Sequence, residues 1–186
     1  MAGARIRIVD LHLDDEKRVN EVATLMMDAF SENPNYCPDL EATLEEVRDL
    51  FEPGHIGRMA VDEQGTVLGV VGGQPHYYGH AWELHPLAVR PEHQRQGIGR
   101  ALVADLEQRV RERGAATLFL GTDDETDQTT LSGVDLYPNP LEHLARIQNL
   151  RGHPYEFYQK VGFVIVGAMP DANGWGKPDI FMAKRV

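Results

Sequence analysis

The sequence predicts an α/β (α+β) fold in a single domain over residues 1–186, and three observations predict it. Short runs of apolar residues recur between helical stripes; one long apolar stripe repeats every four residues directly after a glycine-containing turn; and no internal repeat or low-complexity linker breaks the order strands, helix, strand, helix, strand. With 42% apolar residues the chain can build one core.

The elements follow in order. Residues 5–9 alternate polar and apolar as a strand does, and Asp14 or Asp15 can cap a helix whose Val22, Leu25, Met26, Ala29 and Phe30 share one face. Residues 39–51 read as an acidic helix with Leu40, Leu44, Val47 and Phe51 on one side, ended by Pro53 and Gly54. Residues 58–62 and 67–73 read as a hairpin joined through Glu63, Gln64 and Gly65. A third strand over residues 81–89 carries Trp82, Leu84, Leu87 and Val89 and stops at Arg90 and Pro91. Ile98, Leu102, Leu106 and Val110 then recur every four positions, with Arg109, Arg111 and Glu112 turned outward, until Gly114. A buried strand is expected over 117–121, helices over 141–150 and 155–161, and final strands over 163–168 and 179–183.

Charge and composition exclude several classes. A net charge of -11 argues against a general nucleic-acid binder, since affinity for phosphate backbones needs clustered Lys and Arg. A cationic small substrate fits better, although an acidic surface also serves solubility. No window approaches the ~18 apolar residues of a membrane span, and the N-terminus lacks the apolar core of a signal peptide, so a cytoplasmic protein with no membrane partner is expected. Cys37, the single cysteine, precedes Pro38 in a polar stretch without basic neighbours, which reads as an incidental thiol rather than a nucleophile. The eight histidines are scattered; His76 and His80 are four apart in a probable strand or loop, no HExxH occurs, and no metal is expected.

The segment Gln94-Arg95-Gln96-Gly97-Ile98-Gly99 lies between a strand and the strongest helix. The first N–H groups of a helix have no internal partners and sit at the positive end of its dipole, and glycine lets a phosphate approach the backbone. Arg90, Arg95 and Arg100 reverse the sign of an otherwise acidic chain at this point. The turn lacks the Gly-Lys-Ser/Thr of a Walker loop and the spacing of a dinucleotide fingerprint; the choice is between an anion cradle and an ordinary glycine connection.

The strand AWELHPLAV followed by RPEHQRQGIGRALV is similar to the acyl-coenzyme A signature of the GNAT acetyltransferases. WELHPLAV, GTDDE, TTLS, DLY, IQNLRGHPYEFYQKVGF, IVGAMPDANGWGKPDI and FMAK together resemble one subfamily, the aminoglycoside 6'-N-acetyltransferases, over nearly all of residues 81–184. The resemblance implies a central mixed, largely antiparallel sheet flanked by helices. It also implies acetyl-CoA as co-substrate without a metal, held by Leu87, Ala88, Val89, Gln94, Arg95, Gln96, Gly97, Ile98, Gly99 and Arg100. The implied acceptor is the 6'-amino group of an aminoglycoside, whose acetylation confers antibiotic resistance, and the implied assembly is a homodimer. N-acetylation of polyamines or of protein amines is the alternative, and a non-catalytic acetyl-CoA sensor lies further off.

Amide formation from a thioester needs a neutral amine, a polarised carbonyl and a proton for the departing thiolate. Glu83 can accept the amine's proton, and it is the position the subfamily's WELHPL glutamate implies as base. His85, two residues on, faces the same side of a strand and can share proton removal or orient the acceptor, or else is a half-buried histidine bonded to neighbours. The resemblance assigns Leu87 the free backbone N–H for the carbonyl oxygen and gives Val89 backbone pairing with the pantetheine arm; Pro86 suits irregular pairing there. Tyr158 matches the tyrosine that the superfamily places near the coenzyme sulfur. Asp123, Asp124 and Glu125 follow the 117–121 strand, and Asp179 lies in KPDI; with Glu83, the residues Asp123, Asp124 and Asp179 are the candidate ligands for ammonium groups, each equally readable as a cap or a surface charge.

Overall fold

The computed structural model describes residues 6–31 and 39–186, and Cys37 lies outside them. Among the described residues the chain forms seven strands and five α-helices, mainly antiparallel strands with flanking helices, in agreement with the expected class. It divides into two compact units: one runs to Leu118 and includes Val186, and the other is Phe119–Arg185. No helix among the described residues is long and apolar enough to cross a membrane.

The first unit holds β1 (Arg7–Asp10), α1 (Glu16–Ala29), α2 (Leu40–Asp49), β2 (Ile56–Val61), β3 (Val67–His76), β4 (Ala81–Val89) and α3 (Ile98–Glu112). Its strands pair antiparallel in the order β1-β2-β3-β4. Asp15 caps α1 by accepting the Arg18 N–H at 3.2 Å, and Asp39 caps α2 by accepting that of Ala42 at 2.9 Å. Both helices close over one face of the strands, where Val22, Leu25, Met26, Val47, Met59, Val70 and Ala88 are buried together. Each large side chain so removed from water contributes about 1.5–3 kcal/mol. The expected stripe of α2 needs a correction: Val47 and the hydroxyl-bearing Thr43 are buried, while Leu40 is exposed. Leu40 begins the helix, one turn short of the core.

Arg58 on β2 is buried at 4% exposure and answered on all sides. Its Nε and Nη2 donate to the Asp105 carboxylate on α3 at 2.7 and 3.2 Å, its Nη1 to Asp10 on β1, and its Nη2 also to the Ile8 carbonyl at 3.3 Å. Burial alone would pull the guanidinium pKa down, but the bonds and charges of Asp105 and Asp10 outweigh it and hold the group above its ordinary value.

The second unit contains most of β5 (Thr117–Asp123) with α4 (Pro140–Ala145), α5 (Tyr155–Lys160), β6 (Val164–Met169) and β7 (Asp179–Arg185), its strands in the order β5-β7-β6. The helix expected over 141–150 stops at Ala145. The residues after it are diverted into pairing: Thr129 bridges Asn149, Thr130 N–H donates to the Gln148 carbonyl at 3.1 Å, and Leu150 N–H donates to that of Gln128 at 2.7 Å. Backbone groups satisfied that way are not available to a helix.

Candidate active site

After β4 the Arg90 side chain donates to the Val67 carbonyl at 2.6 Å, Pro91–His93 make one 3-10 turn, and the chain enters α3 through Gly97 at φ 90°. That left-handed conformation strains any side chain, and the space a Cβ would enter is open. No side chain caps α3. Its first internal bond is the Ala101 N–H to the Gly97 carbonyl at 3.0 Å, so the N–H groups of Ile98, Gly99 and Arg100 precede the ladder. Ile98 sends its side chain into the core at 3% exposure and can offer a ligand only backbone. The amides of Gln94 and Gln96 shape the turn by donating to the carbonyls of Val89 at 3.3 Å and Glu92 at 3.2 Å, and Arg95 and Arg100 stand exposed. Open donors, a 15-residue helix dipole and two cations suit a diphosphate.

The register of β3 against β4 steps at the carbonyl end of the WELHPL motif. Gly73 pairs with Leu84 and Val71 with Leu87, so His85 and Pro86 together oppose Gly72 and β4 carries one extra residue. The irregularity lies beside Leu87, Ala88 and Val89. Up to that step Trp82 and Leu84 are buried, while Glu83 and His85 face the other side with side chains 29% and 53% exposed. Each has a partner of opposite type: His76 Nε2 lies 3.0 Å from Glu83 Oε2, and His85 Nε2 lies 3.5 Å from Glu46 Oε1 on α2. Sequence reasoning missed both partners. The sequence pattern ends this strand at residue 73, but β3 continues to His76, which brings that histidine to the Glu83 face. Glu46 looked like one acidic surface residue among several.

The other expected residues belong to the second unit. Tyr158 on α5 is half-buried, edge-on to Phe157 and Phe163 with ring centroids 5.2 and 5.8 Å away. Burial pushes its phenol well above the ordinary tyrosine range, so it stays protonated and able to donate. Asp124 is fully buried, and its two oxygens accept the N–H groups of Gln128 at 2.7 Å and Thr129 at 2.8 Å. That carboxylate is turned inward and fixes the loop. Asp123 is exposed and accepts from the Asn173 amide, while its own carbonyl faces His153 Nε2 at 3.0 Å. Asp179 is half-buried and lies across Gly121: a Cβ there would meet its Oδ2 at 2.4 Å, so only glycine lets the carboxylate rest on β5.

His153, 1% exposed, links these parts. Its Nδ1 accepts the Tyr155 N–H at 3.2 Å, which leaves Nε2 to donate to the Asp123 carbonyl. Burial lowers its pKa, against the upward pull of that carbonyl and of the Asp124 and Asp123 charges. Among the described residues no group of three His, Cys, Asp or Glu is arranged to hold a metal ion.

Comparison with known proteins gives this geometry a context. Residues 9–132 match the model of the acetyltransferase (GNAT) family. A solved aminoglycoside 6'-N-acetyltransferase complexed with coenzyme A is 41% identical with a TM-score of 0.88, and 96% of each chain is covered. The aminoglycoside 6'-N-acetyltransferase from Enterococcus faecium is also 41% identical over 96% of each chain, with a TM-score of 0.85. An acetyltransferase of Photorhabdus laumondii is 32% identical over 111 residues, which are 59% of this chain and 71% of that protein.

Proposed function

We propose, for a chain that belongs to the GNAT family of acetyltransferases and uses acetyl-CoA as acetyl donor, that the acceptor is the 6'-amino group of an aminoglycoside. The observation that carries this reading is the 41% identity, across 96% of both chains, to an aminoglycoside 6'-N-acetyltransferase held with coenzyme A. The charge of -11 supports a polycationic acceptor.

Acetyl-CoA supplies the activated acetyl group. We assign its diphosphate to the N–H groups around Gly97, Ile98, Gly99 and Arg100, with Gln94, Arg95 and Gln96 lining the turn and the backbone of Leu87, Ala88 and Val89 beside the arm. Their fit rests on the uncapped start of α3. Glu83 takes the proton of the ammonium, His85 orients the amine, and the Leu87 N–H stabilises the carbonyl oxygen. Tyr158 hydrogen-bonds or protonates the departing thiolate, and burial keeps its phenol in the protonated form that can donate. Asp179 and Asp123 meet the acceptor's remaining ammonium groups, whereas we assign Asp124 to holding the loop. Attack is direct, without an acyl-enzyme. We further propose that residues 1–186 act as one catalytic domain and that the protein forms a homodimer, which light scattering tests.

Turnover of acetyl-CoA with kanamycin A, spermidine and a basic peptide decides the acceptor. Preference for kanamycin A, with a raised inhibitory concentration in cells carrying the gene, is expected; turnover confined to spermidine or the peptide would reject the aminoglycoside. Glu83→Gln should lower kcat by about a hundredfold or more, the scale of a lost general base.

A further inference from the structure

We propose that His76 positions Glu83 and, when protonated, closes that carboxylate to the incoming amine. The proposal rests on the reading of Glu83 as the base. His76 is the last residue of β3, on the same side of the hairpin as Glu83, because Gln74 pairs with Glu83 and His76 with Ala81. Its Nε2 lies 3.0 Å from Glu83 Oε2, and its side chain, 42% exposed against 29%, is the wetter of the two. The turn that follows is held in an uncommon shape: Tyr77 and Tyr78 both have positive φ, 48° and 59°. Two consecutive left-handed residues fix the direction in which His76 leaves the strand.

The chemistry gives the contact a task. An ammonium acceptor loses two protons on becoming an amide: the C–N bond forms, the C–S bond breaks, one proton goes to the thiolate and one must reach solvent. Glu83, oriented by the Nε2–H of neutral His76, takes the first proton and releases it to water. Protonated His76 instead closes the carboxylate. It pairs with the Glu83 carboxylate and competes with the ammonium for the same oxygen, so protonation of His76 removes the base and weakens acceptor binding together. Among the described residues His85 lies on this side with Glu46 from α2 facing it, and Tyr77, Tyr78 and His80 follow in the turn. β3 carries no ionisable side chain besides His76.

The test is the pH dependence of kcat and KM with acetyl-CoA and kanamycin A for the wild type, His76→Ala, His76→Gln and Glu83→Gln. His76→Ala should lower kcat at pH 8 by about tenfold, and glutamine, which keeps an N–H to Glu83, should restore part of it. Between pH 8 and 6 kcat/KM should fall about tenfold less in His76→Gln than in the wild type, chiefly because KM no longer rises. Superimposable normalised profiles would overturn the proposal, and with Glu83→Gln inactive they would leave the base reading standing. Full activity of Glu83→Gln would instead remove the base, and the role of His76 with it. A readout free of turnover is the Kd for kanamycin A by isothermal titration, which should rise between pH 8 and 6 about tenfold less in His76→Gln than in the wild type; an equal rise would also overturn it.

Discussion

Two of the places where backbone N–H groups converge in this chain are treated oppositely. In the second unit the N–H groups of Gln128 and Thr129 close on Asp124, a carboxylate the chain supplies and buries. In the first unit the N–H groups that open α3 meet no capping side chain, and the residue at the cap is glycine. Where the donors only hold the fold together, the acceptor is built in. The uncapped donors suit the diphosphate proposed for them, with which a built-in anion would compete. The same logic separates the histidines: His153 is sealed with both ring nitrogens used, whereas His76 and His85 each face one carboxylate at the edge of water.

The sharpest way to break this contrast is to remove the built-in acceptor. Asp124→Ala leaves two buried N–H groups unanswered and should destabilise the protein by about 3 kcal/mol, a fall in Tm of roughly 6–12 °C. Calorimetry showing an unchanged Tm would mean that the loop is held by something else. The converse change gives the open site its own anion. Gly97→Asp places a carboxylate at the α3 cap and should weaken acetyl-CoA binding about tenfold to a hundredfold, measured by isothermal titration, with the fold retained. An unchanged Kd would dissociate the diphosphate from the start of α3.

The smallest effect concerns His153. Burial lowers its folded pKa, so as pH falls through the unfolded histidine range near ~6.5 the unfolded chain takes up a proton that the folded chain refuses. Stability is therefore full above that range and declines below it. Urea midpoints at pH 7.5 and 5.5 should differ less in a His153→Gln variant than in the wild type, and equal differences would assign the loss to other groups.

Much of this was legible before any coordinates. The strand over 81–89 appears with those bounds, and the four-residue stripe from Ile98 to Val110 became the buried face of α3, because both patterns are long and their periods differ. The place of the glycine turn was legible for the same reason: lying between two unambiguous elements, it has its position fixed by them. What stayed hidden depends on contacts distant in sequence. Nothing local tells Asp124 from Asp123, since one turns inward only because Gln128 and Thr129 curl back to it. The helix after Leu141 ends early because its continuation pairs with residues about twenty positions earlier. His76 and Glu46 gained meaning only when a strand and a helix were seen to end beside Glu83 and His85.

The buried Arg58 has a consequence for the order in which the first unit is made. Its two carboxylates come from Asp10, 48 positions before it, and from Asp105, 47 positions after it. A cation is stable in that interior only when both are present. Asp105, supplied by α3, is the last of the three charges to be synthesised, so the buried ion-pair network that ties β1, β2 and α3 together is completed only once α3 is in place.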